Sequence, residues 1–143
     1  MDPFVRRFIR SSLVWLGVGV LIGVAMALDP AAAAFRTAHM HANLLGFVSM
    51  MIFGVAYHVI PRFTGRPLHR PRAAALHLWV ANAGLAGMVS GFILRIYRWE
   101  PGMILLGTGA LLSAAGAALF IYNIWRTLDV PAPRPAVLPT LAR

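Results

Sequence analysis

The apolar residues of this 143-residue chain fall into four blocks, separated by short stretches that are rich in arginine and proline. A helix rises 1.5 Å per residue, so about 20 apolar residues cross the roughly 30 Å hydrocarbon core of a membrane. The blocks cover residues 11–28, 38–60, 72–94 and 101–125. They predict an all-α, integral membrane four-helix bundle over residues 1–128.

Prolines stand at the predicted ends of these helices. Pro30 follows the first block, and Pro61 is expected to close the second, because proline lacks a backbone N–H and disrupts a helix interior. Pro71 and Pro101 suit first-turn positions, where the missing donor costs nothing. Residues 129–143 contain four prolines and predict an extended, proline-rich cytoplasmic tail.

Composition supports a membrane protein and excludes several functions. The chain is 59% hydrophobic and 12% charged, whereas a soluble domain has about 25% charged residues. Its net charge of +9 does not indicate nucleic-acid binding, because the arginines lie between apolar blocks and form no basic helix face. There is no cysteine, which excludes disulfides, thiolate metal sites and covalent haem attachment. No paired carboxylates, nucleophile triad or phosphate-binding loop indicates hydrolase or transferase chemistry.

The arginines predict the orientation of the chain in the membrane. Ten of them lie at the two termini or between the second and third blocks, and three lie in the other two connections. Positive residues concentrate on the cytoplasmic side, so both termini should be cytoplasmic and the second helix should run inward. We therefore expect a multi-pass protein of the bacterial inner (cytoplasmic) membrane. The majority side holds Arg6, Arg7, Arg10, Arg62, Arg66, Arg70, Arg72, Arg126, Arg134 and Arg143.

Small residues recur at helical spacing in several blocks, for example Gly19 and Gly23 in the first and Gly87 and Gly91 in the third. Such rows let helix backbones approach each other closely in lipid. We expect them to pack helices within one bundle, with packing between protomers as the alternative.

Two histidines at the start of the second block are candidates for haem binding. A histidine inside a membrane span indicates a functional site by default. Residues two apart on a helix point about 200° apart, so His39 and His41 cannot both face one metal unless the helix begins after His39. His41 has a full apolar helix behind it, and we predict that it, more than His39, is an axial ligand of haem iron.

The rest of the predicted haem site lies at the same membrane depth. Arg36, Arg95 and Arg98 are the arginines at the outer face and would pair with the haem propionates. The candidates for the second axial ligand are His39 and three methionines. Those methionines are Met26, Met40 and Met103.

A second group of histidines lies about 25 Å from His41 along a regular helix. His58 ends the second block, His77 lies a little over one turn into the third, and His69 is in the loop between them. Three imidazoles could hold copper or zinc, which makes this a weak second metal site. The alternative is that these histidines simply face lipid headgroups near the arginine-rich loop.

Several segments of the second and third blocks resemble the catalytic subunit (subunit I) of haem–copper oxidases, nearest the nitric-oxide reductase branch. The resemblance covers about residues 38–91. A further phrase, residues 61–66, resembles a group of membrane haem and copper proteins involved in the response to nitric oxide. The segments with the subunit I resemblance are His41-Ala-Asn-Leu-Leu, Gly54-Val-Ala-Tyr, Val59-Ile-Pro61-Arg62 and Trp79-Val-Ala-Asn82-Ala-Gly84.

The resemblance implies that His41 ligates a low-spin haem b, since this helix carries that ligand in the family and also starts on the outer side. Family members use about twelve helices, and later ones supply the second ligand and the haem–copper centre. Reduction of dioxygen or nitric oxide by four spans alone is therefore not expected. The predicted function is electron transfer or diatomic-gas binding by a membrane b-type haem protein, an oxidoreductase if it has any activity.

The expected partners are membrane lipid, other copies of the chain in a homo-oligomer, and an oxidase or redox partner. A neighbouring copy could supply the missing haem ligand. Two alternative functions remain. The methionines and histidines could pass Cu(I), as in a copper-handling or oxidase-assembly protein, or the chain could be a structural accessory subunit.

Overall fold

The protein is a bundle of four long helices in the computed structural model, which describes residues 1–129. Each helix is long and apolar enough to cross a membrane, and the described part of the chain contains no strand. The predicted all-α, four-span membrane fold is confirmed, whereas the cytoplasmic orientation of the termini stays a prediction. The predicted tail, residues 129–143, lies almost wholly outside the described residues. The four spans are Pro3–Leu28, Pro30–Thr64, Pro71–Ile96 and Pro101–Asp129.

Several predicted helix ends are displaced in the structure, including the start of the second span, at Pro30, and the end of the fourth, at Asp129. The first span begins at Pro3, well before the apolar block, and so carries its arginines on its first helical turns. The prediction that Pro61 closes the second span is wrong, because the helix continues to Thr64. A proline in the last turn disturbs few hydrogen bonds. The helix ends instead at Gly65, whose φ of 63° gives the left-handed cap that glycine adopts without strain.

The second span changes its helix type along its length. A 3₁₀ turn, Pro30–Phe35, leads into an α-helical segment, Arg36–His41. A π-helical segment, Ala42–Ser49, follows, and α-helix resumes at Met50–Thr64. Isolated π-helical turns occur frequently at functional sites. Here the change begins directly after His41.

The four spans pack as two antiparallel hairpins, the first span with the second and the third with the fourth. The third and fourth spans approach each other through glycines. A Cβ atom added to Gly84 would lie 2.6 Å from the backbone nitrogen of Ser113, and one added to Gly109 would lie 2.5 Å from that of Met88. The small residues of these two spans thus pack helices within one chain.

Two asparagines connect different parts of the bundle by hydrogen bonds. The Asn82 side-chain oxygen accepts from the Ser11 hydroxyl at 2.5 Å and from the Trp15 indole N–H at 3.1 Å, which joins the third span to the first. Asn123, on the fourth span, accepts from the Arg70 backbone N–H at 2.9 Å and donates to the Arg70 carbonyl at 3.0 Å. Each of these polar side chains is thereby satisfied by another part of the chain.

Candidate functional site

We call the end of the bundle that holds residues 29–41 and 95–101 the outer end, after its predicted orientation. His41 lies there, half-buried, with its ring centroid 4.7 Å from that of Phe92 on the third span. Its Nδ1 atom is 2.9 Å from the Thr37 carbonyl oxygen, one helical turn earlier. A carbonyl can only accept, so Nδ1 carries the proton and Nε2 keeps its lone pair. Histidines that bind metals usually have this arrangement.

His39 faces a different neighbour. Its Nδ1 atom lies 2.9 Å from the Gly19 carbonyl oxygen of the first span. A Cβ atom at Gly23 would be only 3.0 Å from Cε1 of His39, so the glycines of the first span make room for this side chain. The two histidines thus contact opposite neighbours, the first span and the third. This separation agrees with the prediction that residues two apart on a helix point about 200° apart, since both histidines lie within one continuous helical segment.

A surface cleft lies beside two residues that contact His41, although His41 is not one of its lining residues. It has a volume of about 250 Å³ and is lined by Ala34, Thr37, Phe92, Arg95 and Ile96. Thr37 and Phe92 are also the residues that contact the His41 imidazole. The cleft therefore places an apolar wall and a guanidinium next to the candidate ligand.

The three predicted propionate partners are all exposed. Arg95 and Arg98 line a second hollow of about 370 Å³, together with Met103 and two other residues. Arg95 thus belongs to both hollows, whereas Arg36 is the first residue of the α-helical segment that carries Thr37 and His41. The outer end therefore presents three exposed arginines near the cleft, and the carboxylate of Glu100 lines the second hollow with two of them.

The candidate second ligands do not gather at the cleft. Met103 is 59% exposed and lines the hollow beyond Arg95. Met40 is 49% exposed, and Met26 is half-buried near the end of the first span. His39 also has its Nδ1 atom on a carbonyl, that of Gly19, but its Nε2 atom lies 3.5 Å from the Asn43 side-chain nitrogen. One side of an iron bound to His41 would therefore need a ligand from elsewhere or remain open.

The inner histidines have separate environments. Nδ1 of His58 is 2.8 Å from a guanidinium nitrogen of Arg62 on the same helix. His69 packs against the Tyr122 ring with centroids 5.7 Å apart. His77 is fully buried in the core. Within residues 1–129, no group of three or more His, Cys, Asp or Glu residues is placed to hold a metal ion.

Sequence reasoning missed the polar residues that organise the core. His77 was expected near the membrane surface, but it packs among Phe8, Phe53 and Phe120, with Nδ1 3.1 Å from the Tyr57 hydroxyl. The signal was present, because Tyr57 and the two asparagines interrupt apolar blocks, where polar side chains require partners. Their partners lie on other parts of the bundle, which the order of residues does not reveal.

Comparison with known proteins identifies the family. The sequence profile of the family described as Cytochrome C and Quinol oxidase polypeptide I matches residues 4–137. The chain belongs to this family. The predicted resemblance to the oxidase catalytic subunit is confirmed.

Individual relatives are similar at low identity. The chain is 26% identical to the Cbb3-type cytochrome c oxidase subunit CcoN1 of Stutzerimonas stutzeri, over 92% of this chain and 34% of the relative. It is 23% identical to cytochrome c oxidase subunit 1 of Rhodobacter capsulatus, over 89% of this chain and 29% of the relative. A putative cytochrome c oxidase subunit 1-beta of Streptomyces coelicolor is 28% identical over 80% of this chain and 23% of the relative. The chain thus spans between 23% and 34% of the length of these relatives.

The residues at the outer end are compatible with haem. One imidazole has a free Nε2 atom, an aromatic wall stands beside it, and a guanidinium lines the same cleft. A haem site needs groups of these kinds, namely an imidazole as axial ligand, an apolar contact and a cation for the propionates. At about 250 Å³ the cleft is smaller than the 300–1,000 Å³ typical of ligand pockets, so one copy of the chain would not enclose a macrocycle.

Proposed function

We propose that this protein is a b-type haem protein of the bacterial inner membrane that transfers electrons. The observation that supports it best is the state of His41, whose Nδ1–H is held by the Thr37 carbonyl and whose Nε2 is left for a metal. Membership in a cytochrome oxidase family makes haem the natural ligand, because cytochromes are haem proteins. Binding of a diatomic gas is the second form of the proposal, and it applies if the other side of the iron is open.

The residues in and beside the cleft have definite tasks in this proposal. His41 would hold the iron, and the Thr37 carbonyl keeps its imidazole in the ligating tautomer. Phe92 packs against the imidazole and limits its rotation. Arg95, with Arg36 and Arg98 nearby, pairs with the propionates and neutralises their charge. Haem, when bound, supplies the one-electron chemistry.

A second copy of the chain completes the site in this proposal. The cleft is too small for haem alone, and none of the expected second ligands lines it. In a two-fold dimer the same surface of both protomers meets, so the partner would offer its own histidine to the same iron. Such a bis-histidine haem has no open position and is suited to electron transfer.

Optical spectra test the haem. Protein purified after expression with ample haem should show a Soret band, and His41→Ala should abolish it. His58→Ala is the matched control, because that histidine contacts Arg62 on its own helix, far from the cleft, and its loss should leave the band unchanged. A colourless wild type, or an unchanged band in His41→Ala, contradicts the proposal.

Two further measurements separate the forms of the proposal. One haem per two chains, with a reduced spectrum that carbon monoxide does not alter, indicates a bis-histidine dimer. A spectrum shifted by carbon monoxide indicates an open coordination position and therefore gas binding.

A structural accessory role is the second candidate. The observation that favours it is that small residues lie on outward faces of the spans, since a Cβ atom added at Gly17 or Gly107 would meet no neighbouring residue within residues 1–129. Co-purification with a larger oxidase, without haem bound to this chain, would support it. Copper handling, the other alternative, has no comparable support, because the three inner histidines do not form a metal-binding group in residues 1–129.

A further inference from the structure

A fully buried histidine lies where the two hairpins meet. His77 has no exposed surface, and its Nδ1 atom is 3.1 Å from the Tyr57 hydroxyl of the second span. The other ring nitrogen, Nε2, is also buried and has no hydrogen-bond partner within residues 1–129. Buried polar atoms are nearly always paired with protein or with ordered water. An unpaired one therefore indicates a missing ligand.

Most of the surroundings of this imidazole offer no hydrogen bond. The rings of Phe53 and Phe8 lie with centroids 4.7 Å and 5.0 Å from that of His77, and Phe120 follows at 5.9 Å. These rings enclose the histidine on several sides and cannot satisfy Nε2. The hydrogen-bond partner of Nε2 must therefore lie in a space that the aromatic rings do not fill.

Such a space exists beside His77. A cavity of about 60 Å³ lies between the second, third and fourth spans. A cavity needs about 10–15 Å³ of such space to hold a water molecule, so this one has room for at least one. Its lining residues are Leu45, Ser49, Met50, Phe53, His77, Ala81, Leu85, Ser113 and Ala117.

The chemistry of the lining favours a neutral, hydrogen-bonding ligand over a metal ion. Among the described residues, His77 is the one titratable side chain that lines the cavity, and they contribute no carboxylate or second imidazole to it. The Ser49 hydroxyl donates to the Leu44 carbonyl at 2.9 Å, and the Ser113 hydroxyl contacts the Met88 sulfur at 3.4 Å. Both hydroxyl oxygens can still accept a hydrogen bond.

We infer that this cavity is an internal hydration site, in which a water molecule hydrogen-bonds to Nε2 of His77. Tyr57, His77 and the water form a polar chain from the second span through the third toward Ser113 of the fourth. The inference does not depend on haem, because the cavity residues are separate from those of the outer cleft.

Filling the cavity tests the inference through a double-mutant cycle. Ala117→Val adds two methyl groups to the lining, and it should displace the water and leave Nε2 unpaired. We expect it to lower the thermal unfolding midpoint in detergent of the wild type more than that of His77→Phe, which has no nitrogen to satisfy. His77→Phe also removes the hydrogen bond to the Tyr57 hydroxyl. That loss is the same in the single variant and in the double variant, so it cancels in the cycle.

Ala114→Val is the matched control, because that alanine is exposed on the same span and does not line the cavity. It should change both backgrounds alike. Equal effects of Ala117→Val in the two backgrounds, whether stabilising or destabilising, would overturn the inference.

A crystal structure of the unmodified protein tests the inference without relying on any variant. At a resolution that shows ordered water, we expect density about 2.7–3.2 Å from Nε2 of His77. An empty cavity there, or one that xenon enters under pressure as xenon enters dry apolar cavities, would contradict a hydration site.

Discussion

At the scale of single residues, chemically identical side chains have different roles because their neighbours differ. His39 bonds to a carbonyl of the first span, His41 is held by its own helix and keeps Nε2 free, and His77 is enclosed by aromatic rings. Periodicity predicts that the first two diverge, since a helix turns 100° per residue. The burial of His77 required knowledge of which faces meet, and it was therefore not predicted.

A buried asparagine should be important for stability at the inner end, the end of the bundle that holds residues 62–72 and 126–129. Asn123→Leu removes both hydrogen bonds to the Arg70 backbone and should lower the free energy of unfolding by about 1–3 kcal/mol. Denaturant unfolding in detergent measures the change. Thr108→Val is the control, because that exposed hydroxyl bonds only within its own helix, to Ile104 and Leu105. Equal losses of unfolding free energy in the two variants would show that the hydrogen bonds between Asn123 and the Arg70 backbone do not stabilise the protein.

At the scale of helices, glycines decide how closely neighbouring spans approach. Gly109 faces the backbone of the third span, whereas Gly107, two residues earlier, has no atom within 4 Å of the position of an added Cβ. The small-residue rows could be read from the sequence. The sequence does not show which glycines of a row face another span, because small residues also occur on faces that lipid covers.

Two alanine substitutions on the fourth span should therefore have opposite effects. Gly109→Ala forces the third and fourth spans apart and should destabilise the protein by about 1–3 kcal/mol, the usual cost of overpacking. Gly107→Ala meets open space and should stabilise it by up to about 1 kcal/mol, because alanine favours helix. Unfolding midpoints in the same detergent compare the two. If Gly109→Ala lowers the unfolding midpoint no more than Gly107→Ala does, the third and fourth spans do not approach each other as closely as described.

At the scale of the whole molecule, the distribution of the arginines and the family together predict the location of the protein in a membrane and its orientation there. The arginines of the first helical turns and of the loop between the second and third spans lie at the inner end. The chain matches one part of longer oxidase subunits. The arginine asymmetry predicts the direction in which the spans insert. The sequence does not show which residues lie together on the outer surface of the bundle, so it does not predict which proteins contact these spans.

Single cysteines should reveal the orientation directly, because the chain has no native cysteine. Ala33→Cys, exposed at the outer end, should react with a membrane-impermeant maleimide in intact spheroplasts. Pro67→Cys, exposed in the inner loop, should react only after the membrane is permeabilised. Gel shifts of the labelled protein report both reactions. The reverse pattern would place the His41 cleft on the cytoplasmic side.

The sequence by itself determined the four spans, the helical class, the family and the candidate ligand His41. Hydropathy over about 20 residues and a local motif are properties of consecutive positions, so they need no knowledge of packing. Only the tertiary structure decided that His39 bonds to the first span, that the inner histidines separate, and that His77 lies beside a cavity. A polar side chain in a membrane protein is satisfied by whichever span packs against it, and that partner is distant in sequence.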